Sequence, residues 1–173
     1  MGTRYENALA FASRKHEGQK RLEGTPYITH PIAVAEMLSG WGYDEDTCIA
    51  GLFHDLLEDT DATEEEILTL GGEKVLRAVK CVTKHRGYLM DAYVSGIFLC
   101  PMARAVKAAD RLHNLKSALI CPDAFKARYV RESAAYFTAL HPEMPDAIRA
   151  LAESVRDGEL RKTLLDELAQ LRL

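Results

Sequence analysis

The sequence predicts an all-α fold, one compact bundle of roughly eight to ten helices. Three observations carry that expectation. Apolar residues recur at three- and four-residue spacing along most of the chain, as in Tyr5, Ala8, Leu9 and Ala12. No stretch of any length alternates apolar and polar residues as a half-buried strand would. Prolines and glycines, Gly51 and Gly96 apart, fall where periodic stretches begin and end. At 173 residues the chain fits a single domain with a sizeable core.

Residues 4–17 form the first predicted helix, which stops near Gly18. Residues 18–30 read as a loop containing Gly24 and Pro26. Pro31 suits the first turn of the second helix, where its missing N–H would be unpaired anyway, and that helix ends at Gly40-Trp41-Gly42. Asp44 or Asp46 can cap a third helix running to about Thr60. Thr63 and Glu66 have capping-box spacing for a short helix through Ile67 and Leu70, closed by Gly71 and Gly72. The next helix carries Val75, Leu76, Val79 and Val82, and gives way to the polar run from Thr83 to Gly87. Residues 89–99 are expected as a further helix. Pro101 opens one to about Leu119, Pro122 one to about Leu140, and Pro145 a short one; residues 159–172 finish the chain.

Composition narrows the function classes. Hydrophobic residues make up 47% and charged residues 28%, as in ordinary soluble domains. A net charge of −4 offers no general attraction to nucleic acid or anionic membrane. The four cysteines, Cys48, Cys81, Cys100 and Cys121, are widely spaced with no CxxC pair, which predicts reduced, mostly buried thiols. Neither a signal peptide nor a membrane-length apolar run is evident, so a cytoplasmic location is expected.

The stretch from Gly51 to Thr60 has two unlike sides. At 100° per residue, His54, Asp55, Glu58 and Asp59 fall within an arc of about 140°, with Phe53, Leu56 and Leu57 opposite. Gly51 lies on the polar side one turn earlier, where it leaves room for something bulky. A solvated acidic face would normally alternate with basic residues, and none occurs between Asp44 and Lys74. Three carboxylates held together repel one another, so a cation is the natural way to hold them. His30, fixed by Pro31, can turn its imidazole inward. Asp110 follows the apolar residues Ala105, Val106, Ala108 and Ala109, and a buried carboxylate there needs a partner, either Arg111 or a metal. Lys107 and Asn114 share its helix face. Two imidazoles and two carboxylates suit Mn²⁺ better than Ca²⁺, and the absence of thiolates argues against structural zinc.

The His54-Asp55 pair, with His30 upstream and Asp110 downstream, resembles the HD superfamily of metal-dependent phosphohydrolases. The strings AFASRKHEGQKRLEGTPYITHP, AGLFHDLLEDT and VKAADRLHNL are similar to the hydrolase domain of RelA/SpoT proteins and to stand-alone small alarmone hydrolases. The resemblance covers about residues 4–140, with the helices of 145–172 beyond it. It implies one HD-type domain that removes the 3′-pyrophosphate from ppGpp and pppGpp, generally with Mn²⁺. By position it implies His30, His54, Asp55 and Asp110 as metal ligands, with Glu58 and Asp59 as the acid pair that handles water. Arg21 corresponds to a base-stacking arginine and Asn114 to a nucleotide-contacting asparagine. Lys20, Lys84 and Lys107 are candidate phosphate contacts, and Arg131 and Tyr136 candidate pocket residues. Leu22 replaces a second basic residue common in the family, and the segment from Thr83 to Asp110 carries few charges. Two other readings compete: an HD phosphohydrolase for another nucleotide, such as a phosphatase of NADPH, and a metal-containing nucleotide sensor without turnover.

Overall fold

Side-chain caps mark the helix starts after Asp44, Thr63 and Asp157 in the computed structural model, which describes residues 2–173. Every regular element is helical; the described residues hold a single isolated β-bridge, between Lys20 and Pro26, and no strand. The chain divides into two compact units, residues 1–110 and 111–173.

In the first unit, α1 spans Thr3–Lys15, α2 Thr29–Gly40 and α3 Glu45–Phe53. A short α4 covers Leu56–Asp59, followed by α5, Glu64–Gly71, α6, Glu73–Val82, and α7, Met90–Leu99. Asp44 caps α3 by accepting the Thr47 N–H at 2.9 Å. Thr63 and Glu66 form the expected capping box at the start of α5. Gly72, with φ +81°, supplies the left-handed residue that separates α5 from α6. The core is built on α3, whose residues from Thr47 to Phe53 are all buried. Phe11 of α1 meets Phe53 edge-to-face at 5.7 Å, and Val34, Ala35 and Leu38 of α2 are fully buried.

Two local expectations change. The third helix does not run unbroken to Thr60, because regular helix stops at Phe53 and resumes at Leu56. Gly51 leaves no open room either: a Cβ there would stand 2.8 Å from Leu38 Cδ1 and 3.4 Å from the Ala35 Cα. Its missing side chain is what lets α2 press against α3.

The eighth helix, α8, spans Pro101–Ser117 and crosses the boundary at Asp110. In the second unit it is followed by a 3₁₀ turn at Ala118–Ile120, α9 at Asp123–Tyr136 and a second 3₁₀ turn at Thr138–Leu140. The unit closes with α10, Met144–Glu153, and α11, Gly158–Gln170. Phe137, Met144, Ile148, Leu151 and Leu164 are fully buried here. Arg111 is enclosed between the Tyr129 and Phe137 rings, at 4.4 and 4.2 Å, and donates to Glu132 at 2.7 Å. Cys48, Cys100 and Cys121 are buried free thiols, and Cys81 is half-buried. Among the described residues no helix is long and apolar enough to cross a membrane.

Candidate metal centre

Three segments of the first unit deliver the four donor side chains: the start of α2 with His30, the α3–α4 junction with His54 and Asp55, and α8 with Asp110. All but Asp55 are buried. His30 Nε2 lies 3.2 Å from His54 Nε2 and 3.1 Å from Asp110 Oδ1. His54 Nε2 lies 3.0 Å from Asp55 Oδ2 and 3.6 Å from Asp110 Oδ1, and His30 Nε2 lies 3.7 Å from Asp55 Oδ2. These separations match the edges of a coordination shell whose bonds are about 2.0–2.2 Å long. His30, His54 and Asp110 together satisfy the spacing of a metal-holding group.

The break in the central helix belongs to this geometry. His54 Nδ1 bonds the Gly51 carbonyl at 2.7 Å. A carbonyl only accepts, so Nδ1 carries the hydrogen, and Nε2, which faces the cluster, is the nitrogen whose lone pair a metal would take in place of a proton. Gly51 O is also the acceptor that a continuous helix would offer to the Asp55 N–H. The imidazole takes that acceptor, and regular helix resumes only at Leu56.

Electrostatics favour positive charge at the centre. Burial opposes a charged His54, yet the Asp55 and Asp110 carboxylates outweigh it and push its pKa up to about 10. Burial lowers the pKa of His30, which keeps that imidazole neutral. Burial also works against the Asp110 carboxylate, but Lys107 and the two imidazoles hold its pKa well below the ordinary value. Asp110 divides its oxygens: Oδ1 faces the imidazoles, and Oδ2 accepts Lys107 Nζ at 2.7 Å. Of the two partners expected for Asp110, Arg111 or a metal, Arg111 serves Glu132, and Lys107 and the histidines meet the carboxylate where a metal would bind. With both imidazoles neutral as ligands, two carboxylates, the Lys107 ammonium and a divalent ion would sum to +1, a charge suited to phosphate.

Glu58 and Asp59 follow one turn later and are both exposed. Glu58 Oε2 accepts the backbone N–H of Lys84 at 2.9 Å, which ties the acid to the loop after α6. Burial, followed by the charges of Asp55 and Glu58, raises the Asp59 pKa above the ordinary aspartate value. Lys84 Nζ stands 5.5 Å from the centroid of the Tyr93 ring and Lys107 Nζ stands 5.9 Å from it. Tyr93 is itself anchored by donating its hydroxyl to Val82 O at 2.8 Å.

The other expected contacts are placed less closely. Lys20 is exposed in the bridged loop, and the Arg21 guanidinium lies 3.3 Å from Glu23. Asn114 continues α8 one turn beyond Asp110 and falls in the second unit, as do Arg131 and Tyr136. Both arms of Arg131 pair with Glu167 at 2.8 Å, which commits its guanidinium to α11. Tyr136 ends α9 beside Phe137. From the sequence, Tyr27 is open between lining the pocket near His30 and packing in the core, His16 has only a packing or capping role, and Tyr93 is only part of an ambiguous apolar pattern. Tyr27 carried a readable signal, since it sits three residues before His30 and shares its turn. For Tyr93, no local pattern marked it as a shelf for two lysines.

Residues 8–88 match the protein family described as HD domain. The chain is 36% identical over 143 residues to a guanosine-3′,5′-bis(diphosphate) 3′-pyrophosphohydrolase of Aquifex aeolicus, covering 78% of this chain and 20% of that protein. It is 35% identical over 137 residues to a probable GTP pyrophosphokinase of Mycobacterium leprae, covering 74% of this chain and 17% of the relative. The chain therefore spans about a fifth of the length of the curated relatives it matches. A solved structure described as a metazoan ortholog of SpoT that hydrolyzes ppGpp superposes with a TM-score of 0.63 at 25% identity, covering 99% of this chain and 97% of the other.

Proposed function

Because residues 8–88 of this chain belong to the HD domain family, we propose that it is a Mn²⁺-dependent hydrolase of guanosine 3′-pyrophosphates. It converts ppGpp or pppGpp to GDP or GTP plus pyrophosphate, as a cytoplasmic enzyme of the stringent response. The observation that carries this reading is the cluster of His30, His54 and Asp110, with Asp55 reaching the two imidazoles at 3.7 and 3.0 Å and two acids one turn away. The names of the Aquifex relative and of the metazoan structure supply the substrate.

A divalent ion bound there supplies Lewis acidity, acidifying water and polarising a phosphoryl oxygen. Glu58 and Asp59 orient that water and take its proton. The water oxygen attacks the phosphorus joined to the ribose 3′ oxygen, that P–O bond breaks, and the 3′ oxygen recovers a proton as pyrophosphate leaves. Lys84 and Lys107 face the departing phosphates, with Lys20 at the rim. Arg21 stacks on the base. Arg131, held by Glu167, is not assigned to substrate.

Product analysis with Mn²⁺ across ppGpp, pppGpp, NADPH and simple nucleotides tests this reading. Pyrophosphate release from the guanosine 3′-pyrophosphates alone supports it. Orthophosphate from NADPH or from several nucleotides favours a broader HD phosphohydrolase. Tight Mn²⁺ binding without turnover of any of them favours a nucleotide sensor.

A further inference from the structure

We propose that Tyr27 is a positioning residue for the cluster-facing oxygen of Asp55, and that His16 and Gln19 brace it and the neighbouring Asp59. The inference rests on reading the four-donor cluster as a metal site, and it concerns residues that hold the ligands without touching the ion.

Tyr27 Oη donates to Asp55 Oδ2 at 2.6 Å. That same Oδ2 lies 3.0 Å from His54 Nε2 and 3.7 Å from His30 Nε2. The hydroxyl therefore fixes the one carboxylate oxygen that faces the imidazoles. Asp55 needs such a brace more than the other donors do. It sits at the break between α3 and α4, is the one donor not fully buried, and accepts from no backbone group in the way a capping aspartate would. Each of the other donors has its own anchor. His54 is held by the Gly51 carbonyl, Asp110 by Lys107, and His30 by its place at the start of α2 beside Pro31.

Tyr27 is held in turn. Its loop closes through the Tyr27 N–H to Gln19 O bond at 2.9 Å and the His30 N–H to Tyr27 O bond at 2.9 Å. Its ring lies against His16 at 4.8 Å between centroids. His16 is 2% exposed, and its Nδ1 meets Gln19 Oε1 at 2.7 Å. Its Nε2 has no hydrogen-bond partner among the described residues, so the imidazole serves here as a fixed shelf. Gln19 Nε2 then donates to the Asp59 carbonyl at 2.7 Å, and Tyr27 Oη reaches Asp59 Oδ2 at 3.4 Å. One unit from the end of α1 thus grips both the ligand-bearing junction and the water-side acid. Partners that orient metal ligands typically change metal affinity or activity by about 10–100-fold when removed.

Calorimetric Mn²⁺ titration of the full chain, without substrate, tests the brace. Tyr27→Phe keeps the ring on His16 and removes only the hydroxyl. It is expected to weaken Mn²⁺ binding by about 10–100-fold while the melting temperature of the metal-free protein stays at the wild-type value. Gln19→Leu leaves Tyr27 on Asp55 and releases Asp59, so it lowers kcat with Mn²⁺ affinity retained. Tyr27→Phe binding Mn²⁺ within about twofold of wild type overturns the proposal, whether or not its melting temperature falls. Gln19→Leu weakening Mn²⁺ as much as Tyr27→Phe also overturns it. If wild type released no pyrophosphate from ppGpp while Tyr27→Phe still lost Mn²⁺, the functional reading would fall and the brace would stand.

Discussion

Glu58 Oε2 accepts the Lys84 backbone N–H at 2.9 Å, so an acid assigned to water also anchors the loop that presents a phosphate-facing lysine. The two roles separate by mutation. Glu58→Gln keeps an oxygen acceptor for the Lys84 N–H but cannot take a proton. It is expected to lower kcat by about 10²–10⁴-fold with substrate binding intact. Glu58→Ala loses both roles and raises KM as well. Steady-state kinetics of the pair check this, and a fully active Glu58→Gln removes Glu58 from the proton path.

Asp110 is the donor whose loss the site tolerates least, because its two oxygens serve the imidazoles and Lys107 separately. Asp110→Asn is expected to abolish Mn²⁺ binding in a calorimetric titration. Chelation of wild type removes activity, and added Mn²⁺ restores it. Restoration by Mg²⁺ but not Mn²⁺ would correct the metal assignment.

Gly51→Ala tests how closely α2 and α3 pack. Its Cβ would come 2.8 Å from Leu38 Cδ1, 3.3 Å from Val34 Cγ1 and 3.4 Å from the Ala35 backbone. Leu38 can turn aside, but the backbone cannot. The expected cost is about 1–3 kcal/mol in chemical denaturation. Mn²⁺ affinity falls as well, because the Gly51 carbonyl orients His54.

Acid weakens the fold through groups remote from the metal cluster. The Thr47 hydroxyl and N–H lower the Asp44 pKa, and the N–H groups of Asp157 and Arg156 lower that of Asp123. Arg131 lowers the pKa of Glu167. Folded values below unfolded ones mean that the unfolded chain binds more protons, so stability rises with pH here. The contribution is complete above the ordinary carboxylate range of about 4 and is lost as pH falls through the depressed values. Melting temperatures between pH 7 and pH 3 should drop chiefly below pH 4. Asp44→Ala should cost about 0.5–2 kcal/mol at pH 7 and less in acid.

The sequence by itself determined what depends on near neighbours. Asp44 caps α3 and Thr63 pairs with Glu66 because those bonds span only three residues, and helix periodicity marked which faces are buried. It also singled out the four residues that cluster, since imidazoles and carboxylates on apolar helices are costly unless paired. Only the tertiary structure decided the rest. Whether Gly51 was empty space or a close packing seam depended on where α2 lies. The sequence left Asp110 open between Arg111 and a metal, and the fold gives Arg111 to Glu132 and brings Lys107 and the imidazoles to Asp110. The continuous helix expected over His54 gave way because an imidazole can take a helix carbonyl when its other nitrogen has somewhere to go. The bond from Tyr27 to Asp55 joins residues 28 apart in sequence, a separation over which no periodicity carries information.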